Sequence, residues 1–501
     1  MIQATADDLR MAVAGQWVSG AQTAGATPRA AGAAGAAGAP LVIHGVGTDT
    51  REDLRGRLFV ALRGEKFDAH QFLQDAAKAG AVAALVDRKA GAYQRPAGLP
   101  LLEVGDTRTA LADLARWWRS RMRAKVVAIT GSSGKTTTRR LVHAALGSVM
   151  RGSASPKSFN NDIGVPLTLL AGAGDDGYMV VEIGMSHPGE IAPLSRMAAP
   201  QIAVITMAGR AHIGGMGSVE AIIQEKSSLV DGLSASGMAV VLGDQPALVQ
   251  AVEQRVKPGV RVTTFGVGPQ CHWRLMARSV VEGAESGVLQ RMTVQEPDGA
   301  LWECGLALPG DYNAMNALAA VAVARLMGVP REKVAEALAT VGPADMRMAR
   351  QMVGGVAIYN DAYNANPDAV LASLRAFAEL AAGAARRVTV LGDMLELGGP
   401  EAVAQMHAEV GRAAAALRPA VAAFVGEGSA HGAQAAQQAG GAGVVVHVPA
   451  LDEAGIATLA AHLQPGDAVL LKGSRGSRME RLVAALEARA GRTETVPCST
   501  T

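Results

Sequence analysis

The sequence predicts an α/β protein in three parts, in which a central parallel sheet binds a nucleotide and a doubly wound, Rossmann-like block follows it. Three observations carry that prediction. The chain has 501 residues, more than a single core of about 100–200 residues accommodates. Short apolar runs alternate with helix-length amphipathic segments along most of it, the rhythm of βα units. One of those runs ends in a glycine-rich turn that leads into Lys135 and Thr136 and then a helix.

The first part covers residues 1–104 and holds LFVAL (58–62), a helix near 71–79 and VAALV (82–86). Inside it, residues 20–40 are almost entirely Ala, Gly, Thr and Pro. Such a stretch has too little apolar bulk to pack, so it reads as a flexible insertion in a surface loop. The second part, 105–340, carries KVVAIT (125–130), MVVEIG (179–184), QIAVIT (201–206) and MAVVLG (238–243), followed by an Ala-rich helical stretch over 309–341. Runs without polar alternation are what parallel strands covered on both faces require. The pattern restarts in the third part, 341–501, with VAIYND (356–361), VTVLGDM (388–394), AAFVGE (422–427), VVVHV (444–448) and AVLLKG (468–473). Helical segments separate these runs, which makes a second doubly wound sheet.

Composition removes several classes. Hydrophobic residues are 49% and charged residues 18%, and no apolar run reaches the roughly 18 residues that a membrane-spanning helix needs. The chain opens with Asp7, Asp8 and Arg10 where a secretory signal carries a basic lead and an apolar stretch, so export is not expected. Cys271, Cys304 and Cys498 have no paired spacing, which argues against a disulfide frame or a zinc site and for a reducing, cytoplasmic setting. Net charge is +2, the 47 basic residues are dispersed, and aromatics are 3%. Nucleic acid is therefore excluded as a partner.

The sharpest local signal is VVAITGSSGKTTTRRLVHAAL. Gly131 and Gly134, with Ser132 and Ser133 between them, allow backbone N–H groups to turn toward phosphate oxygens, and the helix that follows adds positive potential at its start. Lys135 reaches the terminal phosphates, and Thr136, with Thr137 beside it, offers a hydroxyl to Mg²⁺. Ile129 stands where the full eight-residue motif has its first glycine, so this is the shorter G-x-x-G-K-T form. It implies a nucleoside triphosphate site and does not separate kinases, switches, motors and ligases.

Other polar residues are less decisive. Glu182 ends the strand run 179–184, where it either holds Mg²⁺ beside the phosphates or caps the next helix. His212, after the run 201–206, is a lone histidine that reads as structural. Lys226 lies in a helical segment and reads as a solvated surface lysine.

Taken together, TGSSGKTT, SFNNDIGVPLTLL, VVEIGMSHPGEIA, AHIGGMGS, LPGDYNAMNALAA, NDAYNANPDA, VLGDMLELG and LLKGSR resemble the Mur ligase family, and the branch that adds D-alanyl-D-alanine most closely. TDTREDLRGRLFVALRGEKFDAHQF resembles that family's nucleotide-sugar domain. The resemblance implies three domains: a UDP-sugar domain at 1–104, an ATPase domain at 105–340, and a domain at 341–501 that receives the incoming amine and closes over ATP. It implies a cytoplasmic, monomeric ligase of peptidoglycan synthesis, hence of cell-wall biogenesis, shape and division. Its substrates would be UDP-N-acetylmuramoyl-tripeptide and D-alanyl-D-alanine, with ATP and two Mg²⁺ ions.

Residue by residue, the resemblance implies that Lys135 and Thr136 bind the triphosphate and its Mg²⁺, and that Glu182 and His212 hold metal. Lys226 matches a lysine that carbon dioxide converts to a metal-binding carbamate. Asn316 matches a residue near adenine, Arg347 one that reaches ATP from the third domain, and Asp361 one near the ribose or hinge. Asn364, Asn366 and Lys472 match the substrate cleft, and Thr50, Arg51 and His70 the UDP-sugar side. The same residues also serve as turns, caps and surface charges. Two departures stand out: Tyr312 replaces a histidine common in relatives, and Ser228 a glutamate. A sister ligase that adds a single amino acid, or extends folate with glutamate, remains an alternative. A regulatory phosphate-loop ATPase is a second, and the chain has no NKxD guanine-recognition sequence to make it a GTPase switch.

Overall fold

A computed structural model describes residues 1–18, 40–88, 93–281 and 289–493. The Ala/Gly stretch at 20–40, apart from Pro40, lies outside the described residues, as does Cys498. Three sheets rich in parallel pairing organise the chain. In the first, Leu101–Val104, Ala83–Asp87, Leu58–Val60 and Val46–Gly47 lie parallel, and Gln16–Val18 adds an antiparallel edge. A separate ribbon pairs Gln3–Thr5 with Val42–His44.

The second sheet has nine strands. Gly152–Ala154, Tyr178–Glu182, Lys125–Thr130, Ile202–Ile205, Met238–Leu242, Arg261–Gly266 and Trp273–Val280 run parallel in that spatial order. Every residue of Lys125–Thr130 except Lys125 is buried, which is why that run shows no polar alternation. Gln290–Gln295 and Leu301–Leu306 extend the sheet as an antiparallel arm. The arm's alternating polar faces gave no continuous apolar run, and the sequence reading missed it.

The chain first builds to one side of Lys125–Thr130 and then crosses to the other with Ile202–Ile205. This is a topological switch point, and its crevice lies beyond the carboxyl ends of the strands. Register sets Glu182 beside Ile129 and Ile205 beside Thr130, so three strand ends open at one level. Helix Asp311–Leu326, buried along Ala314, Ala317, Ala320 and Ala324, packs on helix Lys135–Gly147 behind that edge.

In the third sheet Val356–Asn360, Asp467–Lys472, Arg386–Gly392, Val421–Val425 and Val444–Val448 are parallel, and Ala349–Val353 is an antiparallel edge. The first two parts share a core that runs from Ile2, Leu9 and Leu58 through Leu114 and Trp118 to Val126, Leu169 and Leu194. The Ile2 amide also donates to Leu170 O at 2.9 Å. Each fully buried aliphatic side chain there contributes roughly 1.5–3 kcal/mol, so these parts move as one body. The third part has core clusters of its own and meets the rest largely through polar contacts, the kind of junction across which domains move.

Candidate active site

Two glycines make the phosphate loop possible. Gly131 and Gly134 have φ of +156° and +86°. A Cβ at Gly131 would stand 1.8 Å from Thr206 Oγ1, and one at Gly134 would stand 2.2 Å from Asn316 Oδ1. No L side chain fits either position, so backbone N–H groups are left facing the crevice. Helix Lys135–Gly147 starts at once. Ser132 ties the loop to the neighbouring strand's exit, since its Oγ donates to Gly209 O at 2.9 Å and accepts from Gly209 N at 2.8 Å.

Lys135 Nζ donates to Gly131 O at 2.6 Å. Burial lowers its pKa, with Glu182 opposing and Arg347 adding to the effect. Glu182, 1% exposed, accepts from Thr136 Oγ1 at 3.0 Å and from Asn160 Nδ2 at 2.9 Å, with Arg139 Nε 3.5 Å away. A hydroxyl and a carboxylate side by side at the end of a phosphate loop suit a hard divalent cation. Among the described residues no three His, Cys, Asp or Glu side chains form a ready metal cage.

The structure overturns the reading of Lys226 as a surface residue. It is 1% exposed on helix Val219–Ser227. Burial first, and Lys135 next, push its pKa well below the usual lysine value, against Glu225. Glu225 is engaged elsewhere, accepting from Gly189 N and Ile191 N, both at 2.8 Å. Lys226 thus lies just behind the crevice as a buried amine biased toward its neutral form. His212 takes a left-handed backbone, φ 61°, and the Glu396 carboxylate lies against its Nδ1. Burial lowers its pKa, Glu396 raises it, and Lys135 and Lys226 lower it further. A half-buried imidazole with a carboxylate against one nitrogen leaves the other to face a metal.

The crevice opens into a cavity of about 1200 Å³ whose wall also includes groups from the third part. Arg347 reaches across it, donating from Nη2 to Thr136 Oγ1 at 3.1 Å, with its guanidinium 4.2 Å from the Tyr363 ring centre. Asp361 and Lys472 are paired at 2.7 Å, and Ser373 Oγ donates to Asp361 at 2.5 Å. Asn364 is on the wall. Asn366 is too, but its Oδ1 caps helix Pro367–Leu380 through Ala369 N at 2.9 Å. Asn316 lines the same cavity and rests on Gly134 and Thr138. Tyr312 packs toward the third part's core, while Ser228 Oγ is buried with no hydrogen-bond partner.

Thr50, Arg51 and His70 are not brought to this cavity. Arg51 pairs with Asp49 at 2.5 Å, with 88% of its side chain exposed. His70, 2% exposed, places Nδ1 2.5 Å from Asp68 Oδ1 and accepts from Asp87 N at 2.9 Å through Nε2. Both ring nitrogens are used within the fold, so substrate contact gives way to a structural role for His70. Sequence reasoning named no role for Arg108, Arg140, Asn160, Asp244, Tyr363 or Arg375, all on the wall. Arg140, within VVAITGSSGKTTTRRLVHAAL, Asn160, within SFNNDIGVP, and Tyr363, within NDAYNANP, lie inside recognisable motifs; nothing local marks Arg108, Asp244 or Arg375.

Residues 42–119 match the Mur ligase family, catalytic domain, residues 129–324 the Mur ligase middle domain, and residues 346–475 the Mur ligase, glutamate ligase domain. The UDP-N-acetylmuramoyl-tripeptide--D-alanyl-D-alanine ligase of Bacillus subtilis is 34% identical over 453 residues, 88% of this chain and 93% of the relative. That of Escherichia coli is 34% identical over 454 residues, 90% and 95% of the two chains. The crystal structure of MurF from Acinetobacter baumannii superposes with a TM-score of 0.80 at 28% identity, covering 97% of this chain and 99% of that one. MurF ligase from Thermotoga maritima, solved in complex with ADP, gives 0.74 at 26% identity, covering 90% and 98%.

Proposed function

Because this chain belongs to the Mur ligase family, we propose that it joins D-alanyl-D-alanine to UDP-N-acetylmuramoyl-tripeptide, converting ATP to ADP and phosphate. The observation that carries the reading is the convergence, on one cavity, of the phosphate loop with Arg347, Asp361, Asn364 and Lys472 from the third sheet. An activated acyl group and an attacking amine have to meet in such a place, shielded from water.

A carboxylate does not condense with an amine at neutral pH, because oxide is too poor a leaving group. The tripeptide's terminal carboxylate therefore attacks the γ-phosphorus of ATP, the bond from that phosphorus to the bridging oxygen breaks, and an acyl phosphate and ADP result. The loop amides at Ser133, Gly134, Lys135, Thr136 and Thr137, with the Lys135 ammonium, hold the phosphates in line, while Ser132 braces the loop against Met207 and Gly209. Arg347 brings a cation from the opposite wall to the charge that builds during transfer. Thr136, Glu182 and His212 would hold Mg²⁺, which would supply further neutralisation of phosphate charge. The neutral amine of D-alanyl-D-alanine then attacks the acyl carbon, phosphate leaves, and the amine's proton passes to solvent or phosphate.

Lys226 fits a further step. Its buried amine, biased to the neutral form, attacks the carbon of CO₂: an N–C bond forms, one C=O pair moves onto oxygen, and a proton leaves nitrogen. The resulting carbamate is an anion beside Lys135 and His212, suited to a second Mg²⁺. Asn316 steadies the phosphate loop on the adenine side, and Asp361 with Lys472 shapes the amine side of the cavity. Thr50 and Arg51 form part of the outer UDP-sugar surface. Dependence on ATP supports the cytoplasm as its location.

The test is product mass spectrometry after incubation with Mg²⁺, ATP and UDP-N-acetylmuramoyl-tripeptide. D-alanyl-D-alanine is expected to give the pentapeptide, ADP and phosphate. A product formed with a single amino acid on a shorter acceptor, and none with the dipeptide, would assign a sister reaction instead.

A further inference from the structure

The segment that leaves strand Ile202–Ile205 has two sets of partners. On one side it is bonded to the phosphate loop, with Ser132 N donating to Met207 O at 2.9 Å and Ser132 Oγ engaging Gly209. On the other side it grips the third part of the chain. Arg210 Nε and Nη2 donate to Asp368 Oδ1 at 2.9 and 2.7 Å, and its main-chain N donates to Asp368 Oδ2 at 2.7 Å. The remaining edge of the guanidinium takes Glu409, Nη1 to Oε2 at 2.6 Å and Nη2 to Oε1 at 3.2 Å. A planar fork filled on two edges fixes orientation as well as distance, which a lysine would not do.

The neighbouring residues are shaped for this contact. A Cβ on Gly209 would stand 2.5 Å from Asp368 Oδ2, and one on Gly214 would stand 2.5 Å from Gly398 N. Gly214 N in turn donates to Glu396 O at 2.8 Å. Asp368 lies in the first turn of the helix that follows Tyr363, Asn364 and Asn366, so whatever holds Asp368 also sets where that turn meets the cavity. Glu409 is on helix Pro400–Ala416, a separate element.

We propose that Arg210 is a positioning residue, a clasp that holds the third domain closed over the phosphate loop in the geometry that ligation requires. The proposal rests on the ligase reading. Substrates as large as these enter when the domains part, and chemistry waits on their return. Arg210 sets that balance by charge. Its side chain and those of Asp368 and Glu409 are 24%, 29% and 36% exposed, so salt screens them only in part. Without the guanidinium, Asp368 and Glu409, both on helices of the third part, lose the cation that ties them to the second.

Small-angle X-ray scattering with a non-hydrolysable ATP analogue and Mg²⁺ reads closure directly, alongside kcat and the analogue's affinity. Arg210→Ala is expected to raise the radius of gyration of the nucleotide-bound protein and lower kcat on the order of 10²-fold. The analogue should bind within about threefold of wild type, because the loop itself is intact. Asp368→Asn and Glu409→Gln, made on the third domain's side of the clasp, should each open the nucleotide-bound protein and lower kcat in the same direction, and adding either to Arg210→Ala should lower kcat little further, a coupling that an unrelated packing contact would not show. If Arg210→Ala fails to fold, Arg210→Lys keeps the charge without the fork, and intermediate opening is expected. Unchanged scattering and kcat in whichever variant folds would overturn the proposal. A wild-type protein that closes on the analogue but ligates nothing would overturn the ligase reading and leave the clasp standing.

Discussion

The edge of the central sheet and the Asp49–Arg55 loop of the first domain both carry cations, and they treat them in opposite ways. Around the phosphate loop, Lys135 and Lys226 are held by burial below their usual basicity, and neither has a carboxylate bound to its ammonium among the described residues. In the loop, Arg51 and Arg55 close onto Asp49 and Asp53, each two residues away, in open solvent. Those hydrogen bonds hold both carboxylates near a pKa of about 2. A desolvated cation without a counter-ion is costly. A fold that keeps one leaves a debt that an anionic ligand can settle, whereas an exposed, self-paired arginine leaves none.

The largest expected effect tests the first half of that contrast. Lys135→Ala should lower acyl-phosphate formation on the order of 10³-fold, followed as ADP release, while calorimetry shows UDP-N-acetylmuramoyl-tripeptide still binding. Retained turnover would break the link between a half-buried, unneutralised cation and phosphate. Lys226→Ala comes next, with a loss of about 10²-fold and partial rescue by added short-chain carboxylates. Gentle intact-mass measurement of the wild type should reveal one bound CO₂ that the variant lacks. Full activity without Lys226, or rescue that does not depend on a carboxylate, would remove it from the site.

The same contrast explains what the sequence could disclose. The phosphate loop was legible because backbone geometry dictates it: only glycine survives at 131 and 134, and Lys135 and Thr136 must follow at fixed spacing. The buried parallel strands were legible because they admit no polar alternation. Lys226 was not, since a lysine at helical spacing looks the same in solvent as in a core, and only the resemblance to a family gave it a role. The antiparallel arm from Trp273 to Leu306 was hidden because its strands alternate like any surface segment. Arg210, Asp368 and Glu409 come together from three elements far apart in sequence, and no local pattern could have paired them.

Glu296 separates burial from function. It is buried like Lys226, but Arg325 and Arg331 hold it at 2.8 and 2.9 Å. Burial alone would raise its pKa; the bonds from Arg331 and Arg325 outweigh that and bring it from 4.5 to about 2. A folded-state value below the free value means stability that is present above about pH 4.5 and lost as pH falls toward 2. After discounting for solvent screening, the contribution is roughly 2 kcal/mol. Glu296→Gln should therefore lower the urea midpoint at neutral pH, with the gap to wild type narrowing at about pH 3, and leave kcat unchanged. An altered kcat at equal stability would show that a partnered buried charge can also serve the reaction.

Arg51→Ala tests the exposed side of the contrast and should have the smallest effect. The arginine already spends its fork on Asp49 at 2.5 Å, so a diphosphate approaching it would compete with a bond already made. Solvent and salt screen whatever attraction is left. The expected result is an unchanged kcat, an unchanged unfolding midpoint and a KM for the UDP-sugar raised by less than about threefold. A tenfold rise in that KM alone would mean that Asp49 releases Arg51 when substrate arrives. The self-paired arginines of this loop would then be a reserve of cations, and pairing in the free protein would be a poor guide to which charges bind ligand.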